Sequence, residues 1–583
     1  MLALLTTPLT ATVNAAAEQT AEQTVEVSIS GVEDPLLNNI KGFLPLYGFD
    51  GEAAPSVSRL HYLHSKSEEK IREALTPYGY YRPLISTSLE LDGDTWQAGY
   101  EVEPGDPIPL AELDIRLTGE AENDPAFIQA LEESPLKVGK PLLHEDYEAL
   151  KRTFQVLASG RGYFDAAMKE SELRINLQDY EAAVVLHFDS GQRYFLGDVS
   201  FNQNKPWLSE DMLARYSDIE AGQPYLAEDL QQLQSDLSNT EYYSEVTLDA
   251  SPDSADAGRI IPVGVNLTAR NPTRYTFGAG YGTDTGARIK GGITGRRVND
   301  SGHHYTVEAL LAELKYGIAG EYVIPGADPR TDAWGLRGSL EDEHSDNQDY
   351  RAASIGGYFR HSDGLWMKTY SLDYRVERYE QTDGDETSSL LIPGIEWTRT
   401  FPGDMDERIY PTYGTMVRLS LRGASEEILS DTSFVQPQID AKWIYSFANR
   451  TRLIARGSAG TTSVSDFDQL PTSLRFFTGG DTSVRGYEYS VIGPTDDDGD
   501  VVGGKHLLEA GLEYEVPFAE KWSVAAFYDA GDAFNDSPDY KTGAGLGLHW
   551  LSPIGPIRFD LGHAFDDPPG NKLRLHLTIG ADL

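Results

Sequence analysis

The residue of this chain that most needs a chemical partner is Arg485, in the stretch Arg475-Phe476-Phe477-Thr478-Gly479-Gly480-Asp481-Thr482-Ser483-Val484-Arg485-Gly486-Tyr487. It sits between a valine and a Gly-Tyr pair, after two aromatics and a Gly-Gly turn, a setting that suits burial. The bare tripeptide Arg485-Gly486-Tyr487 also suits a surface turn. A buried guanidinium needs a carboxylate, and one is available in Phe527-Tyr528-Asp529-Ala530-Gly531. The chemistry of such a pair is ionic: it can lock a loop, and it breaks no bond. Covalent chemistry finds no comparable footing. The chain has no cysteine, no phosphate-cradling Gly-x-x-x-x-Gly-Lys-Ser/Thr, no His-Glu-x-x-His and no Gly-x-Ser-x-Gly. His303-His304 lacks a third ligand nearby, and Asp496-Asp497-Asp498-Gly499-Asp500 fails the calcium-loop spacing, which would put Pro494 and Lys505 at ligand positions. No catalytic residue, metal or cofactor is therefore expected, and the chain reads as something other than an enzyme.

The elements that must place these residues can be read from parity. From Trp522 to Gly531, Trp522, Val524, Ala526, Tyr528 and Ala530 share one face, and Ser523, Ala525, Phe527, Asp529 and Gly531 share the other. From His506 to Phe518, Leu508, Ala510, Leu512, Tyr514, Val516 and Phe518 oppose Glu509, Gly511, Glu513 and Glu515. In the last segment Leu573, Leu575, Leu577, Ile579, Ala581 and Leu583 oppose Arg574, His576, Thr578, Gly580 and Asp582. Charge on one face and only apolar groups on the other suits water inside a barrel and lipid outside; a sandwich would bury the same apolar face in its own core. Counting favours the barrel. Sixteen such segments fit between Thr273 and Leu583, at about nineteen residues per strand with its connector. An even number of strands can close, and lipid demands closure. Asp529 then points into the lumen.

Composition agrees with this reading. The 583 residues carry a net charge of -44, from 92 acidic and 48 basic side chains, which repels nucleic acid. The 32 tyrosines and 56 glycines suit strands that meet a membrane interface. No run of eighteen apolar residues occurs, so no helical span is expected. At the start, Leu2-Ala3-Leu4-Leu5 leads through small residues to Ala15-Ala16-Ala17, which resembles the tail of a secretory signal over 1–17 without its basic start.

Before residue 273 the pattern is different and repeats three times. Val25, Val27 and Ile29 open the first unit, Leu113, Ile115 and Leu117 the second, Val199 and Phe201 the third. Each runs strand, helix, helix, strand, strand. Gly79-Tyr80-Tyr81, Gly162-Tyr163-Phe164 and Tyr242-Tyr243-Ser244 mark the same helix-to-strand handover about eighty residues apart, the size of a small domain. The expected domains are 24–104, 108–189 and 192–270, then a barrel over 273–583 with a long loop over 465–504.

Three such units before a sixteen-stranded barrel, with Val484-Arg485-Gly486-Tyr487 in a long loop and Phe527, Asp529 and Gly531 two strands later, resemble the family of outer-membrane assembly factors that includes BamA and TamA. Gly543-Ala544-Gly545-Leu546, Trp550, Ser552-Pro553, Gly555-Pro556 and Arg558-Phe559-Asp560 carry the same resemblance. The small units look like polypeptide-transport-associated (POTRA) domains, and three of them is the count of TamA-type members. An ending on Leu583 after a glycine-containing strand is similar to those members too, although most outer-membrane barrels end in an aromatic.

The resemblance implies a Gram-negative outer-membrane protein with its POTRA domains in the periplasm. It implies that the long loop folds back into the lumen, where Arg485 meets Asp529. It also implies a seam between first and last strands that opens sideways to template an incoming strand, here Phe277, Gly278, Gly280 and Gly282 against Gly580 and Leu583. Glycine weakens a strand; the alternative use of those glycines is close packing of the folded-in loop. The implied partners are unfolded outer-membrane proteins, autotransporters in particular, outer-membrane lipid, and an inner-membrane-anchored periplasmic TamB-type protein. Exposed sheet edges of the POTRA domains could bind extended chain. The competing expectations are a conduit that delivers phospholipid from that partner to the outer membrane, and a BamA-like general insertase.

Overall fold

The computed structural model describes residues 23–282, 286–345, 348–381, 384–401, 410–497, 499–552, 555–566 and 573–579. The segment 1–17, Gly580 and Leu583 lie outside the described residues. The first small domain runs β1 (Thr24–Ser30), α1 (Leu36–Phe43), α2 (Val57–Leu75), β2 (Leu84–Asp92) and β3 (Thr95–Glu103). The second runs β4 (Leu110–Thr118), α3 (Pro125–Glu133), α4 (His144–Gly160), β5 (Ala167–Asn176) and β6 (Glu181–Asp189). The third runs β7 (Phe195–Gln203), α5 (Glu210–Ala214), α6 (Ala227–Ser238), β8 (Tyr243–Asp249) and β9 (Ile260–Ala269). In each sheet the last strand lies between the first and the second, in the orders β1-β3-β2, β4-β6-β5 and β7-β9-β8. α2 begins well before the Glu68 to Tyr78 stretch that its sequence marks most clearly, because Leu60 and Leu63 continue the same apolar stripe into the core.

The recurrent aromatic after the second helix has a structural reason. Gly79 and Gly162 adopt φ of +85° and +81°, left-handed turns that end the helical segment. The chain then drops an aromatic into the core: Tyr163 is buried and its hydroxyl donates to Asp124 at 3.1 Å, and buried Tyr243 donates to Gln203 at 2.7 Å.

The remainder is one antiparallel sheet wound into a nearly closed barrel. Its strands are β10 (Thr273–Gly282), β11 (Gly286–Gly295), β12 (His304–Ala312), β13 (Lys315–Pro325), β14 (Asp332–Ser345), β15 (Gln348–Ser362), β16 (Met367–Gln381) and β17 (Gly384–Phe401). They continue through β18 (Tyr413–Ala424), β19 (Phe434–Ser446), β20 (Arg452–Thr461), β22 (His506–Ala519), β23 (Trp522–Phe534), β24 (Lys541–Ser552), β25 (Gly555–Ala564) and β26 (Leu573–Ile579). A two-residue pair, β21 (Ser463–Val464), extends the edge of β19 beyond the sixteen full strands. Each strand bonds its chain neighbour, with β20 pairing β22 across the long loop.

Pleat and register sort the side chains. Tyr275, Phe277, Leu336, Ile355, Leu512 and Leu546 stand exposed on the outer face, while Glu513, Glu515, Phe527 and Asp529 are buried inside. Leu512 pairs with Tyr528 outside while Glu513 pairs with Phe527 inside, so a slip of one residue would turn every charge toward lipid.

Candidate functional site

The loop between β20 and β22 folds into the lumen and carries Arg485 to the wall formed by β22, β23 and β25. Arg485 is 4% exposed and Asp529 is 0% exposed. Arg485 Nε donates to Asp529 Oδ2 at 2.7 Å and Nη2 donates to Oδ1 at 3.2 Å, a two-point grip on one carboxylate. Nη1 reaches Glu513 at 2.6 Å and Asp560 at 3.0 Å. The Phe527 ring lies under the guanidinium, its centroid 3.5 Å from Cζ, which adds a cation–π contact. Three carboxylates around one cation would repel each other, and a second guanidinium and a histidine hydrogen bond offset them. Arg456 bonds Asp529 at 2.9 Å and donates to the carbonyl oxygens of Thr482 and Ser483, and His549 bonds Asp560 at 3.0 Å.

The neighbouring backbone is held as closely. Gly486 takes φ of +104°, and a Cβ there would stand 2.8 Å from Ala564 N. The wall opposite is glycine: a Cβ on Gly562 would stand 2.7 Å from Gly486 N, and one on Gly543 would collide with the Arg485 carbonyl. Val484 is buried and packs on Gly531, where a Cβ would meet its Cγ2 at 3.0 Å. The Tyr487 hydroxyl donates to Thr542 O at 3.3 Å and accepts from Asp566 N at 3.1 Å. All four residues of the loop motif and all three of the strand motif thus meet at one patch of wall.

The same loop reaches the last strand. Gly486 N donates to His576 Nε2 at 2.8 Å, His576 Nδ1 meets Asp481, and Arg574 meets Glu488. The loop's resting place bears on the first-strand glycines. A Cβ on Gly278 would meet nothing within 4 Å and the nearest atoms to one on Gly280 belong to the Arg288 side chain, whereas the loop packs on the glycines of β24 and β25.

At the seam, β10 and β26 come alongside each other, yet among the described residues no hydrogen-bonded ladder joins them. Phe277 and Tyr275 on β10 are among the most exposed aromatic side chains of the described barrel. Gly282 pairs with Gly286 at the far end of the first hairpin. Beside the loop, whose Ser473 and Leu474 form part of its lining, a polar cavity of about 780 Å³ remains, lined also by Glu321, Arg337, Asp373, Arg375, Arg418 and Asp440.

Comparison with known proteins places this architecture. The Omp85 superfamily domain matches residues 265–582. The chain belongs to the Omp85 superfamily. The first POTRA domain of TamA matches residues 26–104. An outer membrane protein assembly factor BamA from Nitratidesulfovibrio vulgaris is 24% identical over 396 residues, covering 64% of this chain and 49% of that protein. The BamA of Neisseria meningitidis is 21% identical over 564 residues, covering 84% of this chain and 66% of that protein. This Omp85 chain therefore spans about half the length of the first relative and 66% of the second. The crystal structure of BamA from Haemophilus ducreyi lacking POTRA domains 1-3 shares the fold, with a TM-score of 0.66 at 18% identity over 81% of this chain and 99% of that one. The Omp85 chain is an outer-membrane barrel whose POTRA domains lie in the periplasm. Since β10 begins at the third POTRA domain, the 296–303 and 326–331 turns are periplasmic and the loop after β20 enters from the opposite side.

Several site residues of this Omp85 barrel escape a reading built on one arginine and one aspartate. Glu513 was on the inward face of its strand by parity, and His576 likewise, but parity names a face and not a partner; Asp560 stood only among the residues that carry the family resemblance. Arg456 and Asp481 carry no local signal. Gly543 and Gly562 do: glycines at alternate positions on an inward face mark a close backbone approach. Glu513, Glu515 and His549 also bring ligand atoms within 4.8 Å of one another. Guanidinium groups already occupy those carboxylates, Arg485 on Glu513 at 2.6 Å and Arg452 on Glu515 at 2.7 Å.

Proposed function

We propose that this protein assembles β-barrel proteins, autotransporters in particular, into the outer membrane through the seam between β10 and β26. The single observation that carries the reading is that, among the described residues, no ladder joins those two strands in an otherwise continuous sheet. Unpaired strand edges template an added strand, and among the described residues the barrel's unpaired edges meet at this seam. The chain works without covalent catalysis or cofactor: binding energy from strand pairing drives the transfer. The match to the first TamA POTRA domain and the count of three small domains support a translocation and assembly module role. The periplasmic partner in that role is a TamB-type protein anchored in the inner membrane.

The test is reconstitution of the purified chain in liposomes, timing the folding of an unfolded barrel substrate, beside an Arg485→Ala control. Integration faster than in empty liposomes, and lost with Arg485→Ala, is expected. Integration no faster than in empty liposomes overturns the insertase reading and favours a conduit that passes phospholipid, to be assayed as lipid transfer with the partner present.

A further inference from the structure

β26 is held on one side among the described residues. It forms seven residue pairs with β25, Leu573 to Ile579 against His563 to Ile557, and among the described residues its other edge carries no ladder. A strand bonded on one side opens readily. Its inward residues alternate with lipid-facing Leu573, Leu575 and Leu577, and two of them are gripped from inside. His576 is 1% exposed, and both ring nitrogens are engaged by one loop: Nε2 accepts from Gly486 N at 2.8 Å, which places the ring proton on Nδ1, facing Asp481. Two residues back along the strand, Arg574 meets Glu488.

We propose that Asp481 and Glu488 of the inward loop, acting on His576 and Arg574, latch the last strand in place where a bonded first strand would otherwise hold it. These are positioning residues. The latch lies in series with the ion cluster, since Gly486 follows Arg485 directly: freeing Arg485 from its carboxylates releases loop and strand together, whereas breaking the latch releases the strand and leaves the cluster intact. Loop withdrawal then frees the C-terminal side of the seam. That consequence rests on the insertase reading; the latch itself does not.

Hydrogen exchange on the full chain in lipid nanodiscs tests it. His576→Ala and Asp481→Ala should each speed exchange of the β26 amides about tenfold while β22 to β24 exchange as in the wild type. Thr578→Ala, on the same inward face and without a bond to the loop among the described residues, should change little. Arg574→Glu should loosen β26, and Arg574→Glu combined with Glu488→Arg should tighten it again. Wild-type exchange of β26 in His576→Ala, an equal rise throughout β22 to β26, or a double swap as loose as the single one would each overturn the latch. Exchange that supports the latch in a chain that fails to speed substrate folding would sink the insertase reading alone.

Discussion

Arg485 stays buried because it is overcommitted. One guanidinium bonds three carboxylates and lies on an aromatic face, while Arg456 meets Asp529 and His549 hydrogen-bonds Asp560. Removing it strands carboxylates in a shielded site. Breaking a buried pair from one side costs about 3–5 kcal/mol, so Arg485→Ala should lower the temperature at which the folded barrel band converts to the unfolded band on semi-native gels. Arg485→Lys keeps the charge but loses the planar fork that bonds Asp529 at two points. Its midpoint should fall between those of the wild type and Arg485→Ala; a lysine variant as stable as wild type would show that charge alone holds the loop.

At the scale of elements, the second POTRA domain shows how a cap is tied to a core. Asp124 precedes α3, accepts from Ala126 N at 3.0 Å, and also meets Arg161 at 2.9 Å and the Tyr163 hydroxyl. Burial alone would raise its carboxyl, but Arg161 with the Ala126 amide and the Tyr163 hydroxyl holds it below the usual carboxylate range. Burial and that same carboxylate push the Tyr163 hydroxyl up to about 12. A carboxyl depressed in the folded state contributes stability that is present above its ordinary value and lost as pH falls through the folded one. Protection of the α3 and α4 amides should therefore fall as pH drops below about 4, and Asp124→Asn should flatten that dependence. The seam permits a complementary test. The chain has no native cysteine, so one cysteine in Phe277 to Ala279 and one in Leu575 to Leu577 can pair only with each other. Oxidation should stop substrate integration and reduction should restore it; full activity while crosslinked would exclude a lateral opening.

For the molecule as a whole, the parts of the third POTRA domain at 199–218 and 231–249 are fastened to the first periplasmic turns of the barrel. Ser209 N donates to Asp300 O at 2.9 Å, Arg297 donates to Trp207 O at 2.6 Å, and the Tyr242 hydroxyl donates to Gly302 O. Arg215 donates to Ala327 O at 3.1 Å, and Arg330 joins Asp218 to Asp328. Backbone carbonyls and charged forks at two adjacent turns make a hinge a poor description of this junction. Arg297→Ala with Arg330→Ala should raise hydrogen exchange in α5 and in the 296–303 turn while leaving β22 to β25 unchanged. Unchanged exchange in α5 would show that apolar packing alone secures the junction.

Much of this was decided by local rules that a sequence carries openly. Alternation of apolar and charged residues determined sixteen strands and their inward faces, because the pleat has a period of two whatever the surroundings. Helical stripes and the Gly-aromatic handover determined three small domains. Parity put Asp529 inside, and burial of a charge demanded a partner for Arg485. What only the tertiary structure decided was everything that depends on the distance between segments remote in the chain. Glu513 and Asp560 joined Arg485 because strand pairing sets β22 and β25 on either side of β23 and β24 and the loop folds onto that wall. The glycines of β24 and β25, and not those of β10, received the loop because the arginine's grip on that wall fixes where the backbone must lie. His576 met Asp481 for the same reason: the loop's anchor sets its reach, and alternation along a strand carries no information about what will stand opposite it.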